Sequence, residues 1–416
     1  MRNVTKKIAK DGTVSYLIRV SAGYNIQGKQ IKKSKIYKPS ANMSEKQIER
    51  ELEKQVILLE EKVKQGYCVD GNIKFADYAE KFMQTKEMSP KCRERYNDLL
   101  KRINIAIGHI RIEKLQPIHL QEFYKDLRSV ISKRTKQALT DKTILHHHRL
   151  ISSVLAQATK EQLIPRNIAS RDYMDAPKLT KKEPLFLNDI QARNLVSLLL
   201  KEEDIRIKTS IMLLLYSGMR RGELCGLEWK DIDFINNIIE IRRTSQYISG
   251  QGIITKDPKN QSSRRALKLP KEILLMLKEY KQWQIQERLK NSYDWHNNIN
   301  IKVIEGNSFS IKTIKNDRIF TTDDGNQISP DTINFWLEKF REKHNLQAFT
   351  PHSLRHTNIT LQIASGVSLR TIASRAGHSQ TSTTSNIYAH AIQTADELAS
   401  QALDDILTPK KYGKIL

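Results

Sequence analysis

Apolar positions along the chain change their period several times, and each change marks a different kind of element. Residues 13–20 (TVSYLIRV) are β-rich and partly alternating, and residues 31–37 (IKKSKIY) alternate apolar with basic positions. Both predict strands, separated by a turn-rich stretch at 21–30. After a second turn at 38–42, Ile48, Leu52, Val56, Leu59 and Val63 recur at helical spacing within 43–64. Residues 1–66 therefore read as a small sheet with one helix. Helical periodicity then holds over 73–170. Phe75, Tyr78, Ala79, Phe82 and Met83 form one stripe. Ser89-Pro90 starts the next helix, with Ser as N-cap and Pro at the first helical position, and Tyr96, Leu99, Leu100 and Ile103 follow. Gln116-Pro117 opens a third helix carrying Leu120, Phe123, Tyr124 and Leu127, and Thr140 caps a fourth with Ile144, Leu145, Ile151 and Leu155. These predict a compact four-helix domain.

Residues 171–184 are polar, charged and proline-containing, and suit an interdomain linker. Beyond it, 185–390 predict a mixed, mainly helical domain with a small antiparallel sheet. Asn188 caps a helix that runs to Leu200, and the strongly apolar helix 205–216 is stopped by Ser217-Gly218. Three short strands are expected at 238–247, 252–256 and 265–269. Helices follow at 271–289, 331–343, 350–364, 368–376 and 382–390. Residues 291–315 show no clear period and read as an insertion. In 391–416, Ile392, Ala395, Leu398, Ala399, Ala402, Ile406 and Leu407 predict a tail helix. The fold class is multidomain α+β.

Charge narrows the function. Seventy Lys and Arg against 46 Asp and Glu give a formal charge of +24 over 416 residues. That balance suits a polyanionic partner, with nucleic acid preferred to a membrane surface. Ten of the basic residues lie in 1–40 against one Asp, so the N-terminal sheet is a candidate DNA-binding surface. No stretch approaches the roughly 18 apolar residues of a membrane span, and the basic N-terminus has no apolar segment behind it. Cys68, Cys92 and Cys225 lie far apart, which argues against a disulfide framework and a cysteine zinc site. His146-His147-His148 invite a metal reading, but consecutive helical residues point about 100° apart and cannot face one ion. A protein of a reducing compartment, facing DNA or RNA, is the expectation.

Candidate chemistry is concentrated in the C-terminal half. SGMRRGEL breaks an apolar helix and places Arg220 at the turn. DPKNQSSRR carries Lys259 in the loop between two predicted strands, with Lys256 as the near alternative. TPHSLRHT starts a helix with His352 and Arg355 at i, i+3. AGHS brings His378 off another helix, and TTSNIYAH holds Tyr388. Each piece is common alone, and a second H-x-x-R occurs at His146 and Arg149. Their order and spacing together are not common, and in that conjunction the chain resembles the tyrosine recombinase (phage integrase) family. The layout, with a small basic sheet first, is most similar to three-domain integrases of Gram-positive conjugative transposons and temperate phages.

The resemblance implies an arm-DNA-binding domain at 1–66, a core-DNA-binding domain at 73–170 and a catalytic domain at 185–390. It implies Tyr388 as nucleophile, forming a covalent 3′-phosphotyrosine and releasing a 5′-hydroxyl. Arg220 and Arg355 would grip the non-bridging phosphate oxygens in a fork geometry unavailable to Lys. His352 would help take the tyrosine proton, Lys259 would protonate the leaving oxygen, and His378 would donate to the phosphate. Glu223 would orient basic neighbours or simply pair with Arg221 or Lys230. No metal, ATP or other cofactor is implied. The implied partners are double-stranded DNA at core and arm sites and a homo-tetramer passing through a Holliday junction, with an excisionase or host DNA-bending factor as accessory. The implied setting is the bacterial cytoplasm, on the nucleoid when bound. Competing readings are a DNA-binding protein that occupies recombination sites without cutting, a metal-dependent nuclease or transposase, and a type IB topoisomerase.

Overall fold

A computed structural model describes residues 3–8, 12–24, 28, 30–40, 43–64, 73–132, 136–179, 185–256, 264–305 and 308–377. The chain forms two compact units, Met1–Lys181 and Lys182–Leu416.

The first unit opens with an antiparallel sheet of β1 (Val4–Ile8), β2 (Val14–Tyr24) and β3 (Gln30–Tyr37), in that order. β3 matches its expected strand and β2 contains the other but runs on to Tyr24, into the stretch read as a turn, whereas β1 has no counterpart among them. Only its first residue, Val4, is partly covered, so it has no apolar alternation to read. Helix α1 (Glu45–Lys64) packs on β2, burying Leu52 with Leu17, Ile18 and Val20. Ser44 and Gln47 start it by a reciprocal cap: each side chain accepts from the other's backbone N–H.

Four helices follow: α2 (Phe75–Thr85), α3 (Pro90–Ile107), α4 (Pro117–Ser129) and α5 (Asp141–Lys160). The expected stripes meet in one core with Phe75, Ile103, Leu120, Ile144 and Ile151 fully buried. Ser89 Oγ accepts from the Cys92 N–H at 3.3 Å and Thr140 Oγ1 from the Thr143 N–H at 3.4 Å, as the capping signals required. The histidine run is spent on packing. His148 Nδ1 is hydrogen-bonded to the Tyr124 hydroxyl at 3.0 Å, and His147 Nδ1 to the Thr143 carbonyl at 2.9 Å. Burial lowers the pKa of both rings. Among the described residues no group of three or more His, Cys, Asp or Glu is placed to hold a metal.

The second unit is built round α7 (Ile205–Ser217), most of whose residues are buried. Around it lie α6 (Asp189–Leu200), α8 (Arg221–Gly226), α9 (Lys271–Lys290), α10 (Pro330–Lys343) and α11 (Pro351–Ala364), and α12 (Leu369–Ala376) follows α11. Two sheets flank these helices. One is antiparallel, ordered β4 (Ile232–Asp233), β5 (Ile238–Ile241), β8 (Arg265–Lys268). The other is ordered β10 (Ser308–Lys315), β9 (Asn298–Glu305), β7 (Gly252–Lys256), β6 (Thr244–Ile248). In it β7 and β9 run parallel.

Two expectations are corrected here. The single strand at 238–247 divides at Arg242-Arg243, and its halves β5 and β6 join different sheets. Arg243 is drawn inward at the break, its Nη1 lying 2.6 Å from Asp231 Oδ2 and 3.0 Å from Glu228 Oε2. The stretch 291–315 is not aperiodic: it forms the antiparallel hairpin β9–β10. Ile299, Ile301 and Val303 do alternate there, but only Ile299 among them is fully buried, so the pattern is weak. The predicted helix 382–390 and tail 391–416 lie outside the described residues, as does the linker from 180 to 184. Among the described residues no helix is long and apolar enough to cross a membrane.

Candidate active site

The site begins where α7 stops. Gly218 takes φ +63°, a left-handed conformation that glycine adopts without steric cost, and turns the chain out of the helix. Two residues on, Arg220 sits at the N-cap of α8. Glu223, at the third position of that helix, accepts from the Arg220 backbone N–H at 2.9 Å and from its Nη1 at 2.8 Å. One carboxylate thus fixes both ends of Arg220, whose side chain remains 43% exposed.

A second cap delivers the other two described residues. Thr350 and Ser353 cap the start of α11 reciprocally, with Ser353 N–H to Thr350 Oγ1 at 3.2 Å and Thr350 N–H to Ser353 Oγ at 3.2 Å. His352 stands exposed in this first turn and Arg355 points into the core. Arg355 donates from Nη1 to the Gly218 carbonyl at 2.8 Å and from Nη2 to the Ala376 carbonyl at 2.6 Å. It therefore ties the end of α7 to the end of α12.

The end of α12 gathers the cluster. Its last carbonyls have no partner within the helix and carry the negative end of the helix dipole. Three successive ones each receive a guanidinium. Arg265 Nε donates to Arg375 O at 2.6 Å, Arg355 to Ala376 O, and Arg220 Nη2 to Gly377 O at 3.4 Å. Gly377, at φ +67°, then turns the chain into His378. Although His352 reaches solvent, partial desolvation of its ring, and after it the charges of Arg355 and Arg220, hold its pKa below the ordinary histidine value. Behind it His356 stacks edge-on at 4.4 Å between ring centroids. Burial, with His352 and Arg355 beside it, pushes His356 down to about 4.

Arg220, His352 and Arg355 are thus brought together. Lys259, His378 and Tyr388 lie outside the described residues. Lys256, the alternative to Lys259, ends β7 with its Nζ 3.0 Å from Gln246 Oε1. Of the two readings of Glu223, the structure agrees with the one in which it orients basic groups, since it holds Arg220 and Arg265; the simple pair with Arg221 or Lys230 is not formed, Arg221 pairing with Asp331 and Lys230 with Glu228. Burial alone would raise the Glu223 pKa, but hydrogen bonding and charge from Arg265, then from Arg220, hold it below the usual carboxylate range. Arg265 is a site residue that sequence reasoning misses, although it is the last residue of the DPKNQSSRR segment that carries Lys259. Its signal in the sequence is parity: it shares the alternation of Leu267 and Leu269, both buried, so it occupies an inward position of its strand.

Two guanidiniums, held in place by the carbonyls that end α12, and a neutral imidazole make a site for an anion that gains charge in a transition state. The model of the phage integrase family matches residues 179–394, and that of its N-terminal SAM-like domain residues 74–128. A XerC-like tyrosine recombinase from Caldanaerobacter subterraneus subsp. tengcongensis is 24% identical over 328 residues, covering 76% of this chain and 77% of the relative. The ICEBs1 integrase of Bacillus subtilis strain 168 is 25% identical over 301 residues, covering 70% and 75%. Among solved structures, the Tn1549 transposon integrase in complex with a circular intermediate DNA has the same fold. Its TM-score is 0.62 at 20% identity, over 80% of this chain and 99% of that one. With the family model spanning more than half of its length, the chain belongs to the phage integrase family and is a tyrosine-type site-specific recombinase.

Proposed function

We propose that this recombinase integrates and excises a mobile element by paired cleavage and strand exchange at double-stranded DNA core sites. In this reading Tyr388 Oη attacks the scissile phosphorus and the bond to the 5′ oxygen breaks, leaving a 3′-phosphotyrosyl enzyme. The phenolic proton passes to His352 and the departing oxygen takes a proton from Lys259. An unperturbed phenol titrates near pH 10, so the cationic surroundings must favour the phenolate. Arg220 and Arg355 hold the non-bridging oxygens as negative charge builds, and His378 adds a hydrogen bond. The 5′-hydroxyl of the exchanged strand then reverses the step, and the phosphodiester's energy is conserved without ATP. Four protomers, two active at a time, carry the exchange through a Holliday junction. Residues 1–66 bind accessory arm sites through their basic sheet, residues 73–170 grip the core site, and an excisionase or DNA-bending factor sets direction.

One observation carries this reading: the two arginines converge on consecutive carbonyls, Ala376 and Gly377, immediately before His378, which itself stands ten residues before Tyr388. The test uses the joined-end junction of the element that encodes the chain, nicked near the exchange point so that a short fragment diffuses away. Incubated in EDTA, wild type should give a slow protein–DNA band on a denaturing gel, and Tyr388→Phe should bind without giving it. Binding without that band in wild type favours the second reading, a protein that occupies recombination sites without cutting. Cleavage that EDTA abolishes and that leaves no protein–DNA band favours a metal-dependent nuclease.

A further inference from the structure

The recombinase reading assigns no role to Arg265, yet this side chain is among the most deeply committed in the site. It opens β8 opposite Ile241 of β5, so its backbone is fixed in a sheet. Its side chain is 5% exposed and meets Glu223, 6% exposed, with Nη2 2.8 Å from Oε2 and Nη1 3.3 Å from Oε1. Its Nε donates to the Arg375 carbonyl, the first of the three that end α12. Glu223 is the same carboxylate that holds Arg220 at both its backbone and its guanidinium.

The charges matter more than the bonds. An arginine paired one-to-one with a buried carboxylate belongs to a neutral pair and has little net attraction for a phosphate. Here one carboxylate is shared by two guanidiniums, so the cluster keeps a net positive charge. The buried member, Arg265, neutralises Glu223, and the surplus sits on the member that reaches solvent, Arg220. We propose that Arg265 is a positioning residue for the cleavage reaction: by sharing Glu223 it leaves the charge of Arg220 available to the scissile phosphate, and by holding Arg375 it sets the helix end that leads into His378. This rests on the recombinase reading, since it supposes that Arg220 meets the phosphate.

A purely structural ion pair would predict something different. Removing Arg265 leaves Glu223 with Arg220 as its counter-ion among the described residues, so Arg220 is drawn toward the carboxylate and away from substrate. Neutralising Glu223 as well should release it. If Arg265 only packs and caps, a second polar deletion in the same buried pair makes matters worse.

The experiment measures single-turnover cleavage of the nicked junction duplex by the full-length protein, beside its dissociation constant for the same DNA by gel shift. Arg265→Met should slow cleavage about 30- to 300-fold while weakening binding by no more than about threefold. Arg265→Lys, which keeps the charge but loses the fork, should fall between it and wild type. Arg265→Met/Glu223→Gln should recover at least about tenfold over Arg265→Met. Cleavage by Arg265→Met within about threefold of wild type, or a double variant no faster than the single one, overturns the proposal. If Arg265→Met does not fold, the double variant and Arg265→Lys carry the test, and a double variant that folds, binds and does not cleave overturns it too. Absence of a Tyr388-dependent adduct from wild type is a separate result, and sinks the recombinase reading itself.

Discussion

Gly218→Ala is the sharpest small change the site allows. Gly218 has φ +63°, and a Cβ added there would lie 2.6 Å from Asn358 Oδ1 and 3.1 Å from its Cγ. Asn358 is not free to swing aside. Its Nδ2 donates to Leu215 O at 2.8 Å and Tyr216 O at 3.2 Å, capping the end of α7, and its Oδ1 accepts from Gln362 at 2.6 Å. The left-handed backbone costs an alanine about 1–2 kcal/mol. Surrendering the two Asn358 donor bonds adds about 0.5–1.5 kcal/mol each, for roughly 2–5 kcal/mol together. Gly366 supplies the control: its φ is +75° with no heavy atom within 4 Å of an added Cβ, so Gly366→Ala should carry the backbone cost alone. Urea unfolding followed by tryptophan fluorescence reads the difference cleanly, because Trp229, Trp283, Trp295 and Trp336 all lie in the second unit. Cleavage should fall further than stability explains, since the Gly218 carbonyl holds Arg355 and Arg220 is two residues away. If Gly218→Ala costs no more than Gly366→Ala, Asn358 is not the obstacle and this reasoning is refuted.

Three further outcomes are expected. His356 titrates near 4 in the folded chain against about 6.5 unfolded. The unfolded state therefore binds more protons in between, and stability is whole above about pH 6.5 and drops by up to about 3 kcal/mol as pH falls toward 4. His356→Gln should flatten that part of the urea-midpoint profile, and an unchanged slope would remove His356 as its source. Because the His352 pKa is lowered, its ring stays neutral on the acid side of the ordinary histidine value. The acid limb of the single-turnover rate should thus lie below about pH 6.5, and a limb at or above that value would show that His352 does not accept the tyrosine proton in this state. Deleting residues 1–66 removes none of the helical bundle's buried core, so the remainder should fold and still cleave core-site DNA. Its affinity for accessory sites should become less salt-dependent, by about 0.9 in the log–log slope for each phosphate no longer neutralised, and intact accessory-site affinity would count against the arm-binding role.

Much of this is legible in the residue pattern. The bundle's stripes, Ser89 and Thr140 as caps, and the break at Gly218 are readable because each depends on neighbours within a turn or two. So is the conjunction of Arg220, His352 and Arg355, since the local motifs fix where each side chain starts. What escapes reading is non-local. β1 is an edge strand whose exposed side chains carry no alternation. The split at Arg242-Arg243 follows from Asp231 and Glu228, acids on a preceding segment whose approach no local pattern announces. Sequence proximity points Glu223 toward Arg221 and Lys230, yet its buried counter-ion is Arg265, brought round from a distant strand by the sheet.

The parallel pairing of β7 with β9 has a consequence in time. The hairpin β6–β7 closes locally, with Ile248 opposite Gly252. Its other edge is covered only when Ile254 meets Lys302 and Thr255 meets Val303, with all of α9 lying between them in the chain. Arg318 completes the same junction still later in the chain, donating to Thr255 Oγ1 at 3.1 Å and to the Gly226 carbonyl at 2.5 Å. Closing so long a loop is slow because its entropy is lost before the contacts form. The strand that runs into the Lys259 loop therefore gains its second edge late in folding. On a nascent chain, it waits for residues beyond 318 to emerge. In pulsed hydrogen exchange, the amides of Ile254 and Thr255 should become protected after those of α7. The strand that leads to Lys259 is thus finished by residues more than forty positions further along the chain, and its local hairpin alone does not complete it.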